Sequence, residues 1–402
     1  QDNMGACMGP PLIAGTVETE IGQGIKDVNV NLSGDSAAVF TTISDGYYQF
    51  ENLIDGKDYT ISPEKDINYK NGVTTFDLVL ISKHILGTVQ LDSPFKMLAA
   101  DVNQSGSIST TDLVLIRKLI LNIDSVFALC PSWKFMDKDF EFTNPLNPFM
   151  DDIPHVIDFN NLSNEELDAD FIGWKMGDVN CTANPDFLTN VDDRNEVGVF
   201  ELEIEQVIDN EQVELGFYPS QTDILGFQFT LEFNSNEVEL IDFEEGVLST
   251  QNVNLNGVGE GYITFSWNGI IEDLNEKLFS LKTNSTNSDL KITTRITEKE
   301  AFNSNFEFLD IQLKNKESNF ELFQNTPNPF SNFTTIRFEL DQKSQANITI
   351  FDTSGKIIQS QFGEFEKGYN EIQFDLSNLS SGVYYYQLTT PMGSKLRKLI
   401  KF

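Results

Sequence analysis

Between Asp101 and Asp112 an oxygen-bearing side chain stands at each spacing that a hard cation would require. Asp101, Asn103, Ser105, Ser107, Ser109 and Asp112 fall at positions 1, 3, 5, 7, 9 and 12 of a 12-residue loop. Gly106 occupies position 6, where the loop turns most sharply, and position 7 ordinarily contributes its backbone carbonyl. Calcium takes about six to eight oxygen ligands, and this spacing wraps them around it, so Ca2+ is the expected cofactor. Ser105 stands where another carboxylate is usual, which removes one negative charge and predicts a weaker hold.

The elements that must position these ligands follow directly. Leu113, Leu115, Ile116, Leu119 and Ile120 recur at helical spacing after the loop. The same unit occurs 35 positions earlier: residues 74–87 and 109–122 are identical at nine of 14 aligned positions. In that first copy Asp77 takes position 12, Thr74 position 9, Asp66 position 1 and Asn68 position 3. Lys70 then falls at position 5, a poor ligand, and Gly72 comes one place late. Two readings stay open. Either the first copy has lost its metal and keeps only its helix, or its front half comes from elsewhere. Gly177-Asp178-Val179-Asn180 repeats Ala100-Asp101-Val102-Asn103, so Asp178 and Asn180 could meet Thr74 and Asp77 in a split site.

The chain has 402 residues, enough for several domains, and 33 of them are Phe. Its formal net charge is −35, which argues against nucleic acid as a partner, because affinity there comes from Lys and Arg neutralising phosphates. No apolar run reaches the ~18 residues of a membrane-crossing helix, so no transmembrane segment is expected. The start, Gln1-Asp2-Asn3, lacks a basic and apolar leader, and the expectation is a mature terminus or the C-terminal part of something larger. Of three cysteines, Cys130 and Cys181 flank one segment and could form a disulfide with Cys7 left over; three free thiols are the alternative. With only His84 and His155, and with no HExxH or nucleophile-elbow pattern, no enzyme is expected.

The expected fold class is mainly β and multidomain, with three β-sandwich modules and one small helical module. Residues 1–10 read as a tail or the end of an upstream domain. Residues 11–62 alternate short apolar runs with Gly/Asp turns. Ile13-x-Gly15-x-Val17, Gly24-Ile25-x-Asp27-Val28 and Asp45-Gly46-Tyr47-Tyr48 resemble a carboxypeptidase-regulatory-like, prealbumin-type sandwich. Residues 63–190 hold the duplicated unit followed by an aromatic-rich segment (Trp133, Phe135, Phe171, Trp174 among others), which is expected to wrap on a neighbour. In residues 195–315, Leu225-Gly226-Phe227-Gln228-Phe229-Thr230-Leu231 and Gly261-Tyr262-Ile263-Thr264-Phe265-Ser266-Trp267 resemble a cohesin domain.

The duplicated loop-helix, with Asp rather than Glu at position 12, resembles a type I dockerin over residues 66–122. That resemblance implies a cohesin-type partner contacted by Thr110, Thr111, Arg117 and Lys118, and in the other copy by Thr75, Phe76, Ser82 and Lys83. Residues 318–402 resemble the type A C-terminal sorting domain of the type IX secretion system, an Ig-like sandwich, on Asn325-Thr326-Pro327-Asn328-Pro329-Phe330, Ile350-Phe351-Asp352-x-x-Gly355 and Leu379-x-x-Gly382-Val383-Tyr384. This implies outer-membrane export to the cell surface, with Gly382, Tyr384, Gly393, Lys395, Arg397 and Lys398 as the sorting residues. The functional expectation is a non-catalytic, calcium-stabilised surface protein of structural or adhesive type, which could assemble with itself into filaments or bind a glycan. The alternative is the accessory region of a secreted polysaccharide-degrading enzyme.

Overall fold

The computed structural model describes residues 10–186, 197–209, 212–284, 290–316, 320–341, 343–390 and 393–402. Residues 1–9, with Cys7 and nearly all of the expected N-terminal tail, lie outside them. The first sandwich comprises β1 (Ile13–Thr19), β2 (Asn29–Gly34), β3 (Ala38–Thr41), β4 (Tyr47–Phe50), β5 (Lys57–Glu64), β6 (Trp133–Asp137), β7 (Ile157–Leu162) and β8 (Phe171–Lys175). Its two sheets run β4-β1-β8-β6 and β3-β2-β5-β7.

The sandwich therefore does not end at residue 62. β6, β7 and β8 all come from the aromatic-rich segment, with β8 parallel to β1 and Phe171 opposite Val17. Residues 11–62 alone would leave one sheet with only β4 and β1, too small to bury a face. Trp133, Phe135 and Phe171 complete the core around Ile13, Val17, Tyr48 and Ile61. Gly15 is required where the segment returns, since a Cβ there would lie 2.1 Å from the Ala169 carbonyl oxygen.

Between β5 and β6 stand α1 (Thr75–Ile85), α2 (Pro94–Ala100) and α3 (Thr110–Ile120). α1 and α3 open on matching capping boxes, Thr74 with Asp77 and Ser109 with Asp112. Leu78, Ile81, Met97, Ile116 and Leu119 form their shared core with Phe127, Trp174, Met176 and Val179. Cys130 is buried in that core and Cys181 is exposed, and among the described residues both are free thiols, so the Cys130–Cys181 disulfide is not formed. Cys130 packs among helix side chains, whereas Cys181 turns away at φ 60 just after Asn180.

The second sandwich contains β9 (Gly198–Asp209), β10 (Gln212–Pro219), β11 (Ile224–Glu232), β12 (Leu240–Glu245), β13 (Val253–Asn254), β14 (Tyr262–Asn268), β15 (Phe279–Thr283), β16 (Lys291–Thr293), β17 (Glu300–Asn303) and β18 (Phe308–Asn315). They form one sheet ordered β12-β15-β10-β9-β18-β17-β11-β14-β13, with β16 beside β11, closing around Phe200, Phe217, Phe227, Phe229, Phe265 and Phe279. The third sandwich holds β19 (Glu321–Leu322), β20 (Phe333–Leu340), β21 (Ser344–Phe351), β22 (Ile357–Phe365), β23 (Gly368–Asp375), β24 (Gly382–Thr390) and β25 (Gly393–Lys401). Its sheets run β19-β20-β23 and β22-β21-β24-β25.

Gly382, Tyr384, Gly393, Lys395, Arg397 and Lys398 all lie on the paired strands β24 and β25. Lys395 and Arg397 reach the carbonyls of Phe320 and Leu322, tying the last strand to the entry of the module, while the Lys398 side chain is exposed.

Phe171 tests whether the aromatic-rich segment is part of the first sandwich. Phe171→Ala should cost about 3–5 kcal/mol, as for other fully buried aromatics, and lower the melting temperature of that module in calorimetry of the full chain.

Candidate metal centres and docking face

The Asp101–Asp112 loop closes on itself through the side chains that stand at the ligand spacings. The Asp101 carboxylate accepts the amides of Ser105 (2.9 Å) and Gly106 (2.8 Å), and Asn103 Oδ1 accepts the Ser105 amide at 2.9 Å. Asp112, buried at the start of α3, accepts the amides of Asn103 (3.2 Å) and Ser109 (3.0 Å). Ser105 Oγ donates to the Ser107 carbonyl at 3.0 Å. Asp101, Asn103, Ser105, Ser107, Ser109 and Asp112 thus gather on one loop, a donor set made only of hard oxygens, which fits calcium. Burial holds the Asp112 carboxyl above its ordinary range, partly offset by those amides.

The first copy builds the same loop from two separated segments. Asp178 accepts the amides of Thr182 (3.2 Å) and Ala183 (2.7 Å), and Asn180 Oδ1 accepts the Thr182 amide at 3.2 Å. Asp77 accepts the amides of Asn180 (3.2 Å) and Thr74 (2.8 Å), and also that of Val179 at 2.8 Å. Thr182 Oγ1 donates to the Gly72 carbonyl at 3.1 Å. Every one of these bonds except that of Val179, whose equivalent Val102 donates to the Ala100 carbonyl instead, has its counterpart in the contiguous loop, with Asp178 for Asp101, Asn180 for Asn103, Thr182 for Ser105, Gly72 for Ser107, Thr74 for Ser109 and Asp77 for Asp112. The chain gap falls between Ala183 and Gly72, whose backbones meet so closely that a Cβ on Gly72 would lie 2.4 Å from the Ala183 nitrogen.

Asp66 and Asn68, counted as positions 1 and 3 of an unbroken first loop, are not in it. The Asp66 carboxylate accepts the Ser132 amide at 2.8 Å, and Asn68 makes a left-handed turn at φ 53. Lys70 points the other way, its Nζ reaching the Ile296 carbonyl of the second sandwich at 3.4 Å.

Asp77 is 0% and Asp178 4% exposed. Burial pushes both carboxyls up, and the charge of Asp178 pushes Asp77 further. Neutral amides offset this only in part. The buried Asn180 Nδ2 has no hydrogen-bond partner among the described residues. The pair is what a divalent cation would relieve, and the donor set fits one.

The same helix turn faces the second sandwich. The Thr75 amide donates to Gln228 Oε1 at 2.7 Å, and Thr75 Oγ1 lies 2.7 Å from Ser266 Oγ. Phe76 packs with Phe302, Phe306 and Phe308 at ring separations of 4.9, 5.9 and 5.4 Å, and the Lys83 ammonium sits 4.7 Å from the centre of the Phe306 ring. Asn268 bridges the two helices, donating to Ser82 Oγ at 3.0 Å and accepting from Arg117. Asn254 and Thr264 both donate to the Leu121 carbonyl, at 2.9 and 2.8 Å.

Of the residues expected to meet a partner, Thr75, Phe76, Lys83 and Arg117 therefore lie against a sandwich of their own chain, while Thr110, Thr111 and Lys118 are exposed. The repeat supplies an internal comparison: Val79 is 3% exposed against the second sandwich, and its counterpart Val114 is 43% exposed. Sequence reasoning missed the receiving side, Gln228, Asn254, Thr264, Ser266 and Asn268, because polar side chains on a strand normally face water.

Phe76→Ala should remove about 3–5 kcal/mol from this contact, seen as faster hydrogen exchange across β11 and α1. Thr111→Ala, at the matching exposed position of α3, should change stability by no more than about 0.5 kcal/mol.

Comparison with known families matches residues 64–121 to the dockerin type I domain and residues 326–401 to the secretion system C-terminal sorting domain. No curated protein matches the chain. Among solved structures, a type I cohesin–dockerin complex from Clostridium thermocellum shares 13% identity over 29% of this chain and 94% of that one, with a TM-score of 0.23. The seventh ScaB type I cohesin from Pseudobacteroides cellulosolvens shares 16% over 29% and 88%, with a TM-score of 0.23. Dimeric latent PorU from Porphyromonas gingivalis shares 8% over 98% and 32%, with a TM-score of 0.19. Dockerins take cohesins as partners, and both matched modules are non-catalytic. The chain thus carries a type I dockerin domain and ends in a type IX secretion sorting domain, which marks it for export to the cell surface or beyond.

Proposed function

We propose that this is a non-catalytic, calcium-ordered surface protein in which the dockerin is held by the cohesin-like sandwich of its own chain. The carrying observation is the seating of α1 on β11 and β14, with Thr75, Phe76, Ser82 and Arg117 all engaged. A docking face filled from within joins the described residues of the first sandwich, the helical module and the second sandwich into one unit placed ahead of the sorting domain, suited to displaying or spacing at the surface. Calcium is held by Asp101, Asn103, Ser105, the Ser107 carbonyl, Ser109 and Asp112. When bound, it supplies the positive charge that this loop of buried and hydrogen-bonded oxygens lacks.

Docking in cis favours a single-chain strut over a filament joined through this same face, since pairing between copies would first have to displace α1. Light scattering on the full chain with calcium should give one monomeric mass at all concentrations; growth with concentration would point to a filament. Phe76→Asp should free the face and permit capture of added isolated cohesin-like sandwich, residues 197–316, provided that fragment is shown to fold by circular dichroism.

A further inference from the structure

We propose that residues 177–183 and 72–77 form a second calcium site, assembled across sequence, which couples the first sandwich, the helical module and the docking of the second sandwich. It rests on the calcium reading of the Asp101–Asp112 loop. The ligands are Asp178, Asn180, Thr182, the Gly72 carbonyl, Thr74 and Asp77. The matched dockerin residues end at 121, so the front half of this site lies outside that domain.

The two halves belong to different parts of the fold. Residues 176–183 continue straight from β8 of the first sandwich: the Met176 amide donates to the Ser132 carbonyl at 3.0 Å, and the Gly177 amide to the Ala99 carbonyl at 2.8 Å. Beyond the loop, the Pro185 carbonyl accepts the Lys26 amide at 3.2 Å, returning the segment to the first sandwich. Asn71 and Asn184 hold the halves side by side through two bonds of 2.8 and 3.1 Å. On the other side, Thr74 and Asp77 bracket Thr75 and Phe76, the residues that meet Gln228 and the Phe302–Phe306–Phe308 cluster.

A cation bound here draws Asp178 to Asp77 and so fixes the end of β8 against the first turn of α1. Any ion that binds only the assembled loop stabilises every contact that assembly requires. The Asp101–Asp112 loop, being contiguous, draws no ligand from the segment after β8 and orders the start of α3. The split site thereby gives calcium a role in fastening the end of β8 to α1 that the contiguous site does not have.

The test uses the full chain, calcium alone as titrant, and hydrogen exchange as the structural readout. The wild-type chain should bind two ions, and both Asp178→Asn and Asp101→Asn should bind one. Asp178→Asn should speed exchange over residues 171–183 and at Thr75 even in calcium, as chelation does to the wild type; Asp101→Asn should not. Should Asp178→Asn fail to fold, Thr182→Ala decides. Thr182 is a ligand that also donates to Asn180 and the Gly72 carbonyl, so its loss should weaken one of the two ions by at least the ~10–100-fold seen when a supporting group is removed at other metal sites. Two ions retained at unchanged affinity in either variant, or equal loosening of residues 171–183 by Asp101→Asn, overturns the proposal. One ion in the wild type that Asp101→Asn removes leaves the contiguous site standing and rejects the split one.

Discussion

The carboxylate of Asp77 is fully buried at the first turn of α1, and a buried charge is tolerated only where its surroundings supply compensating partners. Its partners are the amide of Thr74 beside it and those of Val179 and Asn180 from about a hundred residues downstream. That requirement brings the end of β8 to the start of α1. Since β8 lies between β1 and β6, satisfying one side chain places the first sandwich against the helical module. Thr75 and Phe76, within the same turn, then fix where the second sandwich can sit.

The docking face shows how such a contact is made from residues that look unremarkable singly. Gln228, Thr264 and Ser266 alternate with the core residues Phe227, Phe229, Ile263 and Phe265, and so project from the outer face of β11 and β14. They are nevertheless buried, at 1%, 0% and 0% exposure. A polar group taken from water needs a partner, and the helices provide partners at the Thr75 amide and hydroxyl and the Leu121 carbonyl. The apolar part of the interface is concentrated at Phe76, where three rings converge. Near-identical sequence in α3 stays exposed. What separates Thr75 and Val79 from the identical Thr110 and Val114 is orientation within the fold, and Phe76, which stands where α3 has Thr111, adds the ring that the contact is built on.

Much of this was legible in the sequence. The contiguous loop was visible because all its oxygen-bearing side chains lie within 12 positions, and local spacing reports local geometry. Strands with strict alternation, such as Phe227-Gln228-Phe229-Thr230-Leu231, and the ordered motifs of the sorting domain were equally plain. β6, β7 and β8 were not, because short aromatic runs among Asp, Asn and Pro carry no clear period, and β7 and β8 pair with the distant strands β5 and β1, Tyr59 opposite Phe159 and Val17 opposite Phe171. Asp66 and Asn68 were placed in the first loop by counting back along the chain, and the count failed because the loop crosses a chain gap at Gly72 and Ala183.

The sequence by itself determined the kinds of module present, the oxygen-rich spacing of the loop from Asp101 to Asp112, the duplication of its helix and the destination encoded by the last strands. These follow from spacing, capping and alternation, which act over a few residues. Only the tertiary structure decided that Asp178, Asn180 and Thr182 stand beside Gly72, Thr74 and Asp77, and that α1 rather than α3 is covered by β11 and β14. Both depend on packing between distant segments, where the energy comes from burying shared apolar surface and pairing the polar groups trapped with it. A repeat can announce that two copies exist; the fold assigns them different neighbours.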